Sequence, residues 1–305
     1  MNEPIHYLEH AADVISCAIR MIAQTRRFVL VTVIDIKGGS SRELGTLALI
    51  ADDGQMYGYL SNGCIDRDIQ IQGAKALSRK APQVLKYGVG SPFMDLTLPC
   101  GGSLTLLLDP VPDHEQLRAA HQVLSGRYNA QLRFHPPGLD SISFSYSPPG
   151  LLVLAGRGSV FRAVAACGQA AGFDLYLLSP EEQDLQATAH FDRVKQEKLA
   201  SPDAVQKIPL DNHSAFLTLF HDHSWEPHLL AEALKTPVRF IGALGSRRTH
   251  EDRRQTLMGM GVPERQVDRI CGPIGLVSSL RQAPLIGVSA VAHVTEAFTR
   301  SIVAT

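Results

Sequence analysis

The chain has 305 residues, of which 45% are hydrophobic and 19% charged, so it has enough apolar side chains to build two globular cores. Its 29 Lys and Arg nearly balance its 30 Asp and Glu, and no stretch concentrates the basic residues, so we do not expect it to bind nucleic acid. The sequence has neither an apolar run long enough to cross a membrane nor a secretory leader, which predicts a cytoplasmic protein without a membrane partner.

The cysteines argue against two kinds of structural site. Their number is odd, they are widely spaced and none forms a C-x-x-C pair, so neither a disulfide framework nor a structural zinc site is expected. Any cysteine with a function should therefore act as a free thiol. We expect Cys17, Cys167 and Cys271 to be core or interface residues of helices, which leaves Cys64 and Cys100 as candidates for a site.

The first half of the chain mixes helices and strands. Apolar residues at helical spacing predict an amphipathic helix at 8–25, followed by a strand at 28–36. The next predicted elements are a Gly- and Ser-rich loop at 37–45, a hairpin with strands at 46–50 and 55–60, a helix at 65–78, strands at 83–87 and 103–108, and a helix at 113–124. The stretch 130–147 contains two Pro and one Gly and leads into Pro-Pro-Gly at 148–150, so we place a domain boundary after residue 148. The expected N-terminal domain is of the α+β class and covers residues 1–148.

Two cysteines of this domain lie beside Gly-rich segments. Cys64 precedes a predicted helix, whose positive N-terminal potential favours a thiolate, although Asp66 and Asp68 partly cancel that effect. Cys64 is thus a candidate soft ligand or nucleophile, and a buried, inert cysteine is the alternative. Cys100 is followed by Gly101 and Gly102, whose bare backbone a bulky ligand could approach closely.

Three loops in the domain are richer in Gly and Ser than turns require. They are the segments 38–42, 62–64 and 100–103. Their composition predicts one polar ligand held by backbone donors.

Strands and helices alternate in the second half of the chain, which predicts a Rossmann-type domain with a doubly wound parallel sheet over residues 149–305. Strands are predicted at 151–155, 174–178, 215–220 and 238–244, with helices up to 171, near 181, at 226–234 and from 247 onward. Gly156 and Gly158 follow the first strand and open a helix, which is the setting of a phosphate-binding turn. Phe161 stands where a third Gly or Ala belongs, and Ser179 ends the second strand without the carboxylate that binds a ribose. Tight binding of NAD or NADP is therefore not expected.

Two further segments follow strands of this sheet. His221 and His223 flank an Asp at the carboxyl edge, where they would hold a metal or an anion, or else cap the next helix. Ser246 and Arg247 begin a helix, so backbone N–H groups and a guanidinium would meet a phosphate there. A solvated helix face is expected for the nearby arginines Arg248, Arg253 and Arg254.

Six segments, taken in order, resemble the XdhC/CoxI family over nearly the whole chain. They are G-S-S-R-E-L-G at 39–45, S-N-G-C-I-D at 61–66, C-G-G at 100–102, F-H-D-H at 220–223, I-G-A-L-G-S-R-R at 241–248 and P-I-G-L at 273–276. The first lacks the family's proline, and the second has Asn and Asp where the family has Gly and Glu. Ser179 replaces the family's usual Asp, and 285–287 lacks the acidic residue usual before the last helix.

The resemblance implies a protein that binds molybdenum cofactor, of the molybdopterin type or its dinucleotide form, and delivers it to a molybdenum hydroxylase of the xanthine dehydrogenase type. It also implies a homodimer and a cysteine desulfurase as a second partner. Cys64 and Cys100 would then be soft neighbours of the molybdenum. The other residues assigned to cofactor binding are Ser40, Ser41, Arg42, Gly63, Gly101, Gly102, Gly156, Gly158, His221, His223, Ser246 and Arg247.

Two other functions stay open. The sequence offers no Ser-His-Asp set, paired acids or closed metal site, which favours a carrier over an enzyme. A nucleotide-dependent oxidoreductase or cofactor-modifying enzyme that uses the Rossmann turn is the main alternative. A scaffold that bridges a sulfurase and the target enzyme is the other.

Overall fold

A computed structural model describes residues 5–61, 63–88, 101–201, 208–220 and 225–299. The chain divides into two compact units, Met1–Pro148 and Pro149–Thr305. Each unit has two buried apolar clusters, one on either face of its own sheet. No helix in the described ranges is long and apolar enough to cross a membrane.

The first unit is a mixed six-stranded sheet with helices on both faces. Its strand order is β1-β4-β3-β2-β6-β5. In chain order its elements are β1 (Ile5–His6), α1 (Ala11–Ala23), β2 (Phe28–Lys37), β3 (Leu47–Ala51), β4 (Met56–Tyr57), α2 (Asp66–Arg79), β5 (Gln83–Gly88), β6 (Ser103–Asp109), α3 (His114–Ser125), β7 (Ala130–Phe134) and β8 (Ile142–Tyr146).

Strand β2 shows why the first sheet is covered on both faces. Phe28 and Leu30 join the cluster that contains α1 and α3, whereas Val29 and Val31 join the cluster that contains α2. Successive side chains of a strand point to opposite faces, so a continuous apolar run is the signature of a strand buried on both sides. The sheet is therefore the middle of three layers.

Strands β7 and β8 were not predicted from the sequence. They pair antiparallel, with Ala130 opposite Tyr146 and Phe134 opposite Ile142. Ala130, Leu132 and Phe134 are buried and the residues between them are exposed, so the ribbon has one apolar face. The two Pro and the Gly of this stretch fall between the strands, at 136–138, and mark the turn of a hairpin.

The second unit has the predicted Rossmann architecture. Its elements are β9 (Leu151–Gly156), α4 (Gly158–Ala170), β10 (Asp174–Ser179), α5 (Glu182–Thr188), β11 (Val194–Lys198), β12 (Ser214–Leu219), α6 (Glu226–Leu234), β13 (Phe240–Ala243), α7 (Arg247–Gly259), α8 (Glu264–Val267), β14 (Ile270–Cys271) and α9 (Ala283–Thr299). Every strand pair is parallel, in the order β11-β10-β9-β12-β13-β14. Numbered along this unit the order is 3-2-1-4-5-6, that of dinucleotide-binding domains, whose ligands lie where the order reverses. Here that point lies between the carboxyl ends of β9 and β12.

Candidate functional site

Two of the Gly-rich loops touch at one end of the first sheet. Lys37, the last residue of β2, pairs with Ser103, the first residue of β6. A Cβ on Gly102 would lie 2.5 Å from the carbonyl oxygen of Gly39 and 2.7 Å from that of Lys37. Gly102 is buried, so its lack of a side chain is required by the close approach of two backbone segments.

The turn that carries Cys64 belongs to the same end of the sheet. β3 is antiparallel to both β2 and β4, so the chain leaves β4 toward the end at which β2 finishes. We call the residues 38–42, 63–64 and 101–102 at this end the glycine-rich edge. Gly63 (φ +94°) and Gly101 (φ +67°) are exposed within it, and a Cβ on either would meet nothing within 4 Å. These two glycines, unlike Gly102, leave open backbone.

A buried carboxylate shapes the turn before α2. Asp66, whose side chain is fully buried, accepts hydrogen bonds from the backbone N–H groups of Leu60 (2.7 Å), Ser61 (3.0 Å) and Gly63 (2.9 Å). The hydroxyl of Ser61 donates to the same carboxylate at 2.5 Å. Cys64 lies outside this network and is exposed. The sequence identified Asp66 as a charge near the thiol but not as the acceptor around which the turn is built.

The second acidic residue of α2 also has a protein partner. Asp68 accepts a hydrogen bond of 2.7 Å from the hydroxyl of Tyr87, which is completely buried. Burial, and then the neighbouring Asp68 carboxylate, raise the pKa of Tyr87. The phenol is therefore a permanent donor that fixes the start of α2 against β5.

Arg42 has a donor that nothing in the described structure uses. Its guanidinium pairs through Nη1 with the carboxylate of Glu9, and its side chain is only 13% exposed. Its Nε is buried and finds no acceptor among the described residues. Ser40 and Ser41 are exposed, and the hydroxyl of Ser40 accepts the backbone N–H of Arg42 at 3.0 Å. Because this atom is shielded from solvent, a ligand could use it only after the side chain or the loop moved. A buried unpaired donor costs free energy, so such a contact would be favourable.

The ribbon of β7 and β8 supports the same loop. The hydroxyl of Tyr146 donates to the carbonyl oxygen of Gly45 at 2.9 Å, and burial raises the pKa of this phenol. A Cβ on Gly45 would lie 2.9 Å from the ring of Phe144. Neither aromatic residue was identified from the sequence, although the alternation of apolar and polar residues at 142–146 was visible there.

The Rossmann turn, residues 156–158 of the second unit, serves two internal contacts. Gly156 is buried, and a Cβ on it would lie 2.8 Å from the carbonyl oxygen of Leu219. Gly156 is thus required for β9 to pack beside β12. The N–H of Gly158, at the start of α4, donates to the carboxylate of Asp184 at 2.7 Å. Asp184 was not identified from the sequence, because nothing in its spacing points back to the turn 26 residues earlier.

The last residue of β10 carries no carboxylate. Ser179 is completely buried, and its hydroxyl accepts the N–H of Glu181 at 3.2 Å. The hydroxyl therefore fixes the turn into α5.

Ser246 is the N-cap of α7. Its hydroxyl accepts the N–H of Thr249 at 3.1 Å and lies 2.9 Å from the Thr249 hydroxyl. Arg247 and Arg248 are exposed. Of the Ser246 and Arg247 pair proposed for a phosphate, the serine hydroxyl is thus already used as a helix cap.

The expectation of a solvated helix face is wrong for Arg253. Its side chain and that of Glu226 are each 1% exposed, and its Nε donates to the Glu226 carboxylate at 2.9 Å. Arg253 also donates to the carbonyl oxygen of Leu244 at 2.7 Å, and the hydroxyl of Thr218 donates to Glu226 at 2.9 Å. The ion pair joins β12, α6 and α7 beside the carboxyl edge of the sheet. Both charges are tolerated in the interior because each is paired and hydrogen-bonded.

The remaining cysteines lie in packed positions. Cys17 is buried in α1, Cys167 is half-buried in α4 and Cys271 is half-buried in strand β14, not in a helix. Burial raises the pKa of each of these thiols.

Three of the proposed site residues, Cys100, His221 and His223, lie outside the described residues. Within the described ranges, no group of three or more His, Cys, Asp or Glu side chains is placed to hold a metal ion. The glycine-rich edge therefore offers one exposed thiol, open backbone at two glycines and one arginine with an unused donor.

Comparison with known proteins gives two family matches. Residues 152–294 match the model described as the XdhC Rossmann domain, and residues 21–88 match the model of the XdhC and CoxI family.

Individual relatives match along most of the chain. The protein is 27% identical over 292 residues to the molybdenum cofactor insertion chaperone PaoD of Escherichia coli (strain K12), a match that covers 91% of this chain and 85% of PaoD. It is 21% identical over 287 residues to the uncharacterized protein YqeB of the same organism, which covers 92% of this chain but only 45% of YqeB. A crystal structure of a xanthine dehydrogenase from Bacillus halodurans has a TM-score of 0.75 at 21% identity, with 94% of this chain and 96% of that chain covered, and shares the fold.

The two family models cover separate parts of the chain and together account for more than half of it. The protein therefore belongs to the XdhC and CoxI family.

Proposed function

We propose that the protein binds a molybdopterin-type molybdenum cofactor as cargo and passes it to a partner molybdoenzyme. The observation that carries this proposal is the similarity, along 91% of the chain, to a protein named as a molybdenum cofactor insertion chaperone. The finer proposal is that the partner is a molybdenum hydroxylase of the xanthine dehydrogenase type, that a cysteine desulfurase is a second partner, and that the carrier is a homodimer.

The chemistry of the glycine-rich edge supports this proposal. Cys64 is an exposed thiol, and thiolates suit soft centres such as molybdenum and its dithiolene. If the loop moves to admit a ligand, the unused donor of Arg42 could meet a phosphate oxygen, and guanidinium–phosphate hydrogen bonds are among the strongest in proteins. Gly63 and Gly101 leave backbone that a flat pterin could approach. Cys100 would be a second soft neighbour.

The first test measures cargo retention. Cys64→Ser keeps the size of the side chain but replaces a soft sulfur with a hard oxygen, so the variant should fold normally and lose most of its cofactor. The protein is purified from cells that make the cofactor, and molybdenum and oxidised pterin are measured per protomer after gel filtration. Transfer is followed as reactivation of a molybdenum hydroxylase that lacks its cofactor.

Cys167→Ser is the matched control, because this thiol is half-buried on α4 in the second unit. It should leave both cofactor content and transfer unchanged. The thiols are not ligands if Cys64→Ser and Cys100→Ser both keep wild-type molybdenum and support full reactivation. In that case His221 and His223 become the next residues to replace.

A nucleotide-dependent oxidoreductase is the second candidate, because the sheet has the strand order of dinucleotide-binding domains. Two features oppose it: Ser179 supplies no carboxylate for a ribose, and the N–H of Gly158 already has an acceptor. Loss of the ribose acceptor costs about 1.5–3 kcal/mol, or roughly ten- to a hundredfold in affinity. We expect NAD and NADP to bind no more tightly than high micromolar; a submicromolar dissociation constant in calorimetry would favour the oxidoreductase.

A further inference from the structure

The chain places one of its own carboxylates at the anion-binding end of α4. Asp184, in α5, is 2% exposed. One oxygen accepts the N–H of Gly158 at 2.7 Å, and the other accepts the Nε of Arg162, in the first turns of α4, at 2.5 Å. A backbone donor and a guanidinium thus hold the same buried anion.

Asp184 occupies the position that the phosphates of a bound nucleotide would need. In Rossmann domains the pyrophosphate lies on the N-terminus of the first helix, where backbone N–H groups and the helix dipole favour negative charge. A carboxylate that accepts the N–H of Gly158 takes a donor from that site and also adds a negative charge to it. Beside the same turn, Glu181 forms an exposed ion pair with Arg157 at 3.6 Å.

Neighbouring contacts hold Asp184 in position. Leu185, the next residue of α5, is buried in the same cluster as Val160 and Phe161 of α4. Ser179 fixes the start of α5 through the N–H of Glu181. A movement of α5 that withdrew the carboxylate would expose Leu185 as well as break two charge-assisted hydrogen bonds, which are stronger than neutral ones.

We infer that Asp184 is an internal ligand of the Rossmann turn that excludes phosphate-bearing nucleotides from it. A phosphate arriving at Gly158 would meet a carboxylate at hydrogen-bond distance from the same N–H, and like charges at that separation repel each other. The second unit keeps the Rossmann architecture while its own side chain fills the anion position. This inference concerns the second unit and does not depend on which cargo the first unit carries.

The test replaces the internal anion in the full-length protein. Asp184→Ser shortens the side chain and removes its charge, which leaves Gly158 and Arg162 available to an added anion. We expect ADP, titrated by calorimetry at low salt, to bind at least tenfold more tightly to this variant than to the wild type. Inorganic phosphate should raise the melting temperature of the variant more than that of the wild type.

Three further variants make the result specific. Glu182→Gln removes one charge from an exposed position of the same helix and should bind ADP as weakly as the wild type. Arg162→Met added to Asp184→Ser should cancel the gain. Asp184→Asn keeps the shape and an acceptor oxygen without the charge, so it should fold even if the serine variant does not, and it should also bind ADP more tightly than the wild type.

The inference is overturned if folded Asp184→Ser and Asp184→Asn both bind ADP no better than the wild type. It is equally overturned if the wild type already binds ADP as tightly as the variants, or if Glu182→Gln gives the same gain.

Discussion

Asp66 and Asp184 are both buried acidic side chains that accept hydrogen bonds from the backbone of a Gly-containing turn. Acidic residues in the first turn of a helix are favoured by the helix dipole, so their presence there is expected from sequence. Whether such a side chain faces water or folds back onto a neighbouring turn depends on tertiary packing. The sequence therefore predicts that these residues lie near helix starts, but it does not show that they organise the turn before α2 and the Rossmann turn.

The network around Asp66 predicts a large loss of stability when its carboxylate is removed. Asp66→Ala would remove the acceptor of three backbone N–H groups, two of them buried, so we expect the free energy of unfolding to fall by about 3 kcal/mol. Urea denaturation measures the change. Asp140→Ala, at an exposed position of the same unit, should change the free energy by less than about 0.5 kcal/mol. Equal effects of the two variants would mean that the hydrogen bonds around Asp66 contribute little.

His250 predicts how stability depends on pH. Burial, and then the positive charges of Arg253 and Arg254, lower the pKa of His250 from its ordinary value of 6.5, against a smaller opposing effect of Glu251 and Glu226. As the pH falls below about 6.5, His250 becomes protonated in the unfolded chain but stays neutral in the folded protein. The free energy of unfolding therefore decreases until the pH passes the lowered pKa. We expect the drop in melting temperature between about pH 7.5 and pH 5.5 to be smaller in His250→Gln than in the wild type. Parallel profiles would assign the pH dependence to other groups.

The elements best predicted from sequence are those with strong periodic patterns. The strand expected at 28–36 is β2 (Phe28–Lys37), and the strand expected at 174–178 is β10 (Asp174–Ser179). Strand β11 (Val194–Lys198) was not predicted because its sequence, V-K-Q-E-K, has hardly any apolar residues. It is an edge strand of its sheet, and charged side chains are common on edges because they discourage pairing with other molecules.

Prediction was weaker for the candidate site, because glycine has more than one use. The sequence indicated that Gly101 and Gly102 lie in one ligand loop, whereas only Gly101 is open and Gly102 is enclosed by the backbone of another loop. Composition alone does not distinguish a glycine that admits a ligand from one that admits a neighbouring strand. Arg253 presents the same difficulty, since its partner Glu226 is 27 residues away and no helical spacing connects them.

The ion pair between Glu226 and Arg253 predicts a contrast between adjacent arginines of α7. Arg253→Met leaves a buried carboxylate without its cation and should lower the free energy of unfolding by about 3–5 kcal/mol. Arg254→Met removes a partly exposed pair with Asp268 and should cost under about 1 kcal/mol. Both are measured by chemical denaturation.

The double variant Glu226→Met with Arg253→Met checks the physical cause. It should recover much of the loss, because no buried charge is left unpaired. A double variant as unstable as Arg253→Met alone would show that packing, and not the unpaired carboxylate, sets the cost.

At the scale of the whole molecule, the four buried apolar clusters are each drawn from a single unit. Domains with separate cores are expected to unfold independently, and amide hydrogen exchange follows the stability of each one. The two units also carry different features: the glycine-rich edge belongs to the first, and the occupied Rossmann turn belongs to the second. A substitution in one core is therefore expected to act first on the unit that contains it.

Gly156→Val tests this expectation at the junction of β9 and β12. A side chain at this position would overlap the backbone of Leu219, whose carbonyl oxygen would lie 2.8 Å from the first added carbon, so the central strands of the second sheet must separate. Overpacking of this kind costs about 1–3 kcal/mol or more. We expect faster exchange in peptides that contain β9, β10 and β12, measured by mass spectrometry, while peptides from β2 and β6 keep their wild-type protection and act as the internal reference. Equal loss of protection in β2 and β6 would mean that the two units unfold cooperatively. In that case, any effect of a substitution in the second unit on cargo binding would have to be corrected for the change in global stability.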